Sequence, residues 1–100
     1  MVMTMTIEYT KEVKDDLEFL SKQANLYHVG APWGVSDFGL VLEEIVRRYM
    51  YKHGKMYDMN KPSSLPVAEL KKRYYALEIH YFSFYKEMCK TARKYLEELT

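Results

Sequence analysis

The chain has 100 residues, 48% of them hydrophobic and 29% charged, with a formal net charge of +1. That length fits one small domain, which buries only roughly 60–70% of its unfolded surface, so association with a second chain would add useful burial. No apolar run reaches the roughly 20 residues of a membrane span, and the opening MVMTMTIEYT has neither the basic region nor the apolar core of a signal peptide. The expectation from this is a cytoplasmic protein, and the single cysteine, Cys89, which cannot form an internal disulfide, permits a reducing compartment. Charge is uneven, at −2 over residues 1–30, zero over 31–60 and +3 over 61–100, and the heavy load of ten tyrosines and four phenylalanines is concentrated after residue 70.

Residues 3 to 9 alternate, with Met3, Met5, Ile7 and Tyr9 on one face and Thr4, Thr6 and Glu8 on the other, which predicts a short strand. A lone strand leaves its backbone groups unpaired, so this one is expected to pair with its copy in a second chain. Thr10 can cap a helix over about residues 11 to 24, in which Val13, Leu17, Leu20 and Ala24 recur on one face. Gly30, Pro32 and Gly34 around Trp33 predict a loop. From Phe38 to Tyr51 a broad stripe of Phe38, Val41, Leu42, Ile45, Val46 and Tyr49 predicts a second helix, ending near His53-Gly54. Residues 55–66, with Asn60, Pro62, Ser63, Ser64 and Pro66, read as a linker. Nothing from Val67 to Thr100 is Gly or Pro, which permits one helix of about 33 residues, roughly 50 Å long. Along it Leu70, Tyr74, Leu77, Tyr81, Phe84 and Met88 step by alternating fours and threes, close to a heptad seam. A second line of Tyr75, Phe82, Tyr85, Cys89, Ala92 and Leu96 flanks that seam. Two lines imply either two contact surfaces on one long dimerising helix, the favoured reading, or a helix broken into a hairpin that packs on itself.

The strand, helix, turn, helix order resembles the ribbon-helix-helix (Arc/MetJ/CopG-like) DNA-binding family. Residues 5–20, Met-Thr-Ile-Glu-Tyr-Thr-Lys-Glu-Val-Lys-Asp-Asp-Leu-Glu-Phe-Leu, look like its strand and first helix; residues 39–50, Gly-Leu-Val-Leu-Glu-Glu-Ile-Val-Arg-Arg-Tyr-Met, are similar to its second. The resemblance implies a homodimer whose two strands form a ribbon in the DNA major groove. On this sequence Thr4, Thr6 and Glu8 would read base edges, Met5, Ile7 and Tyr9 would face the dimer, and the backbone N–H groups of Gly34, Val35 and Ser36 would hold a phosphate. The loop before the second helix is longer than the family's, and Glu8 sets an anion on the DNA-facing side.

The fold expectation is therefore mainly α: a ribbon-helix-helix-like unit over 1–54, a linker over 55–66, and a long aromatic dimerisation helix over 67–100 whose interface is Leu70, Tyr74, Leu77, Tyr81, Phe84 and Met88. Lys52, Lys55, Lys71, Lys72 and Arg73, together with His53 and Lys61, cluster around the linker and are candidates to grip phosphates. The aromatic residues of the last helix fit packing better than base stacking, because they recur at helical spacing. His28, His53, His80 and Cys89 lack metal-site spacing, and no phosphate loop, nucleophile elbow or Cys-His signature is present, so neither metal, cofactor nor enzymatic activity is expected. The leading expectation is a homodimeric, sequence-specific DNA-binding regulator. The alternatives are a winged-helix DNA binder with a C-terminal dimer helix, and an all-helical interaction or inhibitor protein that binds another protein through its aromatic helix and never touches DNA, which the acidic first third favours.

Overall fold

A computed structural model describes residues 9–28, 35–57 and 61–99. It is mainly helical, with α1 at Lys11–His28, α2 at Val35–Lys52, α3 at Val67–Tyr81 and α4 at Lys86–Glu97. No strand element occurs among the described residues, and the alternating segment from Met3 to Glu8 lies outside them.

The first helix begins as its sequence dictates, with the Val13 N–H donating to Thr10 Oγ1 at 3.3 Å. Its apolar line, Val13, Leu17, Leu20 and Ala24, is buried along its whole length, as is the broad stripe of α2 from Phe38 to Tyr49. Past Lys52 the chain turns through Gly54 at φ +74°, a left-handed position that glycine adopts without strain. The Gly54 N–H then donates to Tyr51 O and the Lys55 N–H to Met50 O, closing the helix with the paired bonds of a Schellman cap.

The last third departs from the continuous helix expected over 67–100. Helix α3 stops at Tyr81, residues 82–85 turn, and α4 starts at Lys86, with Tyr85 at φ −131° and ψ 51°, far from helical values. The two helices run in opposite directions, since the end of α3 meets the start of α2 (Tyr81 on Phe38) and the end of α4 meets the end of α2 (Glu98 O on Lys52). They are tied together where Arg93 Nη2 reaches Glu78 Oε1 at 2.6 Å and the Tyr74 hydroxyl donates to Cys89 O at 3.0 Å. Both pairs are 15 residues apart, a separation of about 22 Å on one straight helix. The reason for the break is length. A helix of about 33 residues would overrun the 18-residue α1 and α2 by roughly 20 Å, leaving the apolar residues of one end without a surface to cover. Folding back sets Leu70 and Tyr74 from one half and Met88, Cys89, Ala92, Tyr95 and Leu96 from the other into a single core.

Neighbouring helices run in alternating directions. Tyr9, just ahead of α1, lies beside His53 at the end of α2; Phe38 at the start of α2 stacks on Tyr81 at the end of α3 with ring centroids 5.0 Å apart. Helix α2 packs against all three others, and α4 closes the remaining side against α1. There the Tyr95 hydroxyl donates to Asp16 Oδ2 at 2.5 Å, and Lys94 sits 3.8 Å from the same carboxylate. The class this defines is an up-and-down bundle of four helices.

Candidate functional site

Two buried carboxylates fix the surface around α2 and α3. Glu44, one turn before Arg48, accepts from Arg48 Nε at 2.7 Å, Arg47 Nη1 at 3.1 Å, and the Ser63 N–H and hydroxyl, each at 3.0 Å. Arg48 also donates to Leu65 O, so the segment before α3 is strapped onto α2. Burial pushes the Glu44 carboxyl up, but hydrogen bonds from Arg48 and Ser63, with the Arg48 charge, outweigh burial and hold it below its ordinary value. Glu78 ties the hairpin together, accepting from the Tyr74 hydroxyl at 2.6 Å and from Arg93.

Of the basic residues singled out in the sequence, Lys52 and Lys71 both reach the end of α4, while Lys55 lies against Tyr9. Lys52 donates to Glu98 O at 2.7 Å, at the end of α4, where a cation complements the helix dipole. Lys55 lies over the Tyr9 ring at 5.2 Å, and Lys71 reaches Glu97 at 3.4 Å. Lys72 is exposed, and Arg73 turns toward α2. Arg48, Lys52 and Lys61 do share a cleft of about 410 Å³ with Tyr51 and Leu99, but Arg48 and Lys52 meet acceptors of their own chain there. Val35 and Ser36 open α2; Gly34, Thr4, Thr6, Glu8, Met5 and Ile7 lie outside the described residues.

The heptad seam of 67–100 divides. Leu70, Tyr74 and Met88 are buried in the core of their own chain and therefore cannot also face a second one, which corrects their assignment to a dimer interface. Leu77 and Tyr81 are partly buried against the core, as is Tyr9, and Phe84, on the turn, is 78% exposed.

Among the described residues, one apolar surface left uncovered is a groove between α2 and α3. Leu40, Val41, Ala76 and Leu77 line about 400 Å³ of it, with Arg73 in its wall, and it continues past Arg73 into a recess of about 250 Å³ bounded by Glu43, Arg47, Leu65 and Leu70. Leu40 is 55% exposed. Arg73 makes no ion pair, hydrogen bond or ring contact among the described residues, an uncommon position for a guanidinium beside apolar side chains. The Leu40 signal is present in the sequence, since it is an apolar residue off the buried stripe of α2. Ala76 carries none.

Cys89 is fully buried, and burial pushes its thiol up. Among the described residues no three His, Cys, Asp or Glu side chains converge as metal ligands, and no helix is long and apolar enough to cross a membrane. Comparison with protein-family models, characterised proteins and solved structures finds no match to this chain.

Proposed function

We propose that this chain is a non-catalytic helical interaction protein that binds another polypeptide through the α2–α3 surface. The observation that carries the reading is the groove itself: an exposed Leu40 beside Ala76 and Leu77, with an unpaired Arg73 in the wall, offers both apolar area and a charge to a partner. Two features support it over DNA binding. The apolar faces of α1 and α2 are closed by α4 of the same chain, so they do not call for a second chain to complete them in the way a ribbon-helix-helix dimer core does. Lys52, Lys55 and Lys71, three of the seven basic side chains expected to grip phosphate, each contact groups of their own chain.

Titration of a fluorescent random-sequence duplex at two salt concentrations tests the reading, because phosphate-driven binding weakens steeply with salt. A flat response at low salt is expected. Micromolar binding that falls steeply with salt would overturn the interaction reading and restore a DNA-binding regulator.

A further inference from the structure

The outward face of α3 has a pattern of its own. Glu69, Arg73, Ala76 and His80 follow each other at spacings of four, three and four, on the side of the helix away from the buried Leu70, Tyr74 and Glu78. Arg73, Ala76 and His80 are exposed and Glu69 is half-buried. Glu69 and Arg73 stand one turn apart with opposite charges, a spacing at which such side chains commonly pair. Here they do not, and neither has another partner among the described residues. Two unpaired opposite charges on one helix are self-complementary: when that helix meets its own copy antiparallel about a point midway between them, each carboxylate faces the other copy's guanidinium. In a parallel pairing like charges would meet instead.

We propose that this face of α3, with Leu40 of α2 beside it, is the contact surface for a second copy of this chain, the two α3 helices lying antiparallel so that Glu69 of each copy meets Arg73 of the other. The proposal rests on the interaction reading above and names its partner. A two-fold axis keeps the two α2 helices on the same side of the seam, so both copies of the exposed Leu40 flank it and are covered together. The same patch serves both chains, as a closed two-fold dimer requires. In this register the two helices overlap over residues 67–75, and Ala76 of each faces Pro66 just ahead of the other's α3, where its small side chain lets the helix axes approach to the roughly 8–10 Å of ordinary helix packing. Covering this groove also extends the burial that a 100-residue chain achieves alone.

Sedimentation equilibrium from micromolar to high-micromolar chain tests the assignment, with far-ultraviolet dichroism to confirm that each variant is folded. Wild type should be a dimer, and Leu40→Glu a folded monomer. Glu69→Arg and Arg73→Glu should each weaken association at least about tenfold, because each sets like charges opposite one another. The double variant Glu69→Arg, Arg73→Glu should regain most of the loss, since the reversed charges again face their opposites. Lys90→Glu, on the exposed side of α4, should leave the dimer unchanged. A wild-type monomer throughout the range overturns the proposal, as does a dimer indifferent to Leu40→Glu. Single variants that weaken the dimer without recovery in the double variant overturn the antiparallel pairing. A monomer that also ignores DNA would sink this inference alone, whereas salt-sensitive duplex binding would sink the interaction reading beneath it.

Discussion

Replacing Glu44 by Gln keeps the shape of the side chain and removes its charge, which makes it a sharp probe of how the segment before α3 is held. The carboxylate of Glu44 accepts four hydrogen bonds, two of them from guanidinium groups, and only 9% of the residue is exposed. If the amide oxygen takes the place of Oε2, the bonds from Arg48 and Ser63 survive as neutral-acceptor bonds, while the new NH₂ faces the Arg47 donor. Bonds to a charged acceptor are worth about 1.5–3 kcal/mol each and neutral ones about 0.5–1.5, and removing one partner of a buried pair costs about 3–5 kcal/mol. Both arginines are partly exposed and can recover some hydration, which brings the expected loss to about 2–4 kcal/mol. For a chain of this size each kcal/mol is about 4–8 °C, so Tm should fall by roughly 8–32 °C. The effect carries a pH signature. Because the folded carboxyl titrates below its ordinary 4.5, its stabilisation is present at neutral pH and is lost as pH falls through the folded value. Thermal unfolding of both chains from neutral to acid pH should therefore show a gap that closes in acid. A variant within about 0.5 kcal/mol of wild type at neutral pH, the range of an ordinary surface change, would refute this account of the strap.

Other substitutions read other joints. Tyr95→Phe removes the donor to Asp16 that ties α4 to α1 and should cost about 2 kcal/mol by denaturant unfolding; no measurable loss would mean the contact contributes nothing. Gly54→Ala meets no neighbouring atom but must hold φ at +74°, so a loss of about 1–2 kcal/mol with unchanged helicity is expected, and a neutral result would contradict the cap geometry. Cys89 should resist a thiol reagent in native buffer and react on unfolding, whereas rapid native reaction would show the hairpin opening readily. Tyr49 is pushed up to about 12 by burial and the nearby Glu98 charge, and Tyr75 to about 12 by burial and its bond to Glu97. Burial and carboxylate partners push Tyr74 and Tyr95 higher still. These phenols stabilise the fold below their unfolded value near 10, and that contribution disappears as pH rises through the folded values. In a spectrophotometric titration their ionisation should accompany loss of helix; ionisation near pH 10 with helix intact would contradict their burial.

The sequence makes α1 and α2 legible because each carries one apolar stripe and a recognisable end, Thr10 at the start of the first and Gly54 after the second. The break at 82–85 is not legible for a physical reason. Glycine and proline are absent there, and the line Leu70, Tyr74, Leu77, Tyr81, Phe84, Met88 keeps its phase straight through the turn, so periodicity alone cannot separate one long helix from two antiparallel ones. The deciding interactions, Glu78 with Arg93 and Tyr74 with the Cys89 carbonyl, join residues far apart in the chain. The basic cluster is a similar case. Lys52 and Lys71 stand close in sequence to Lys55 and Lys72, but their contacts lie at the far end of the chain, with Glu98 and Glu97. Arg73 is visible in the sequence as one cation among several; that it stands alone in an apolar groove follows only from the packing of α2 on α3.

The central claim is that one chain closes its own core and keeps the α2–α3 face for a partner. It is tested most directly by thermal unfolding of Leu40→Glu over about a hundredfold range of dilution, since an obligate dimer loses stability on dilution and a self-contained fold does not. A single cooperative transition at a concentration-independent Tm is the expected result. A midpoint that falls steadily with dilution would mean that the core is completed by a second chain, and would contradict the account.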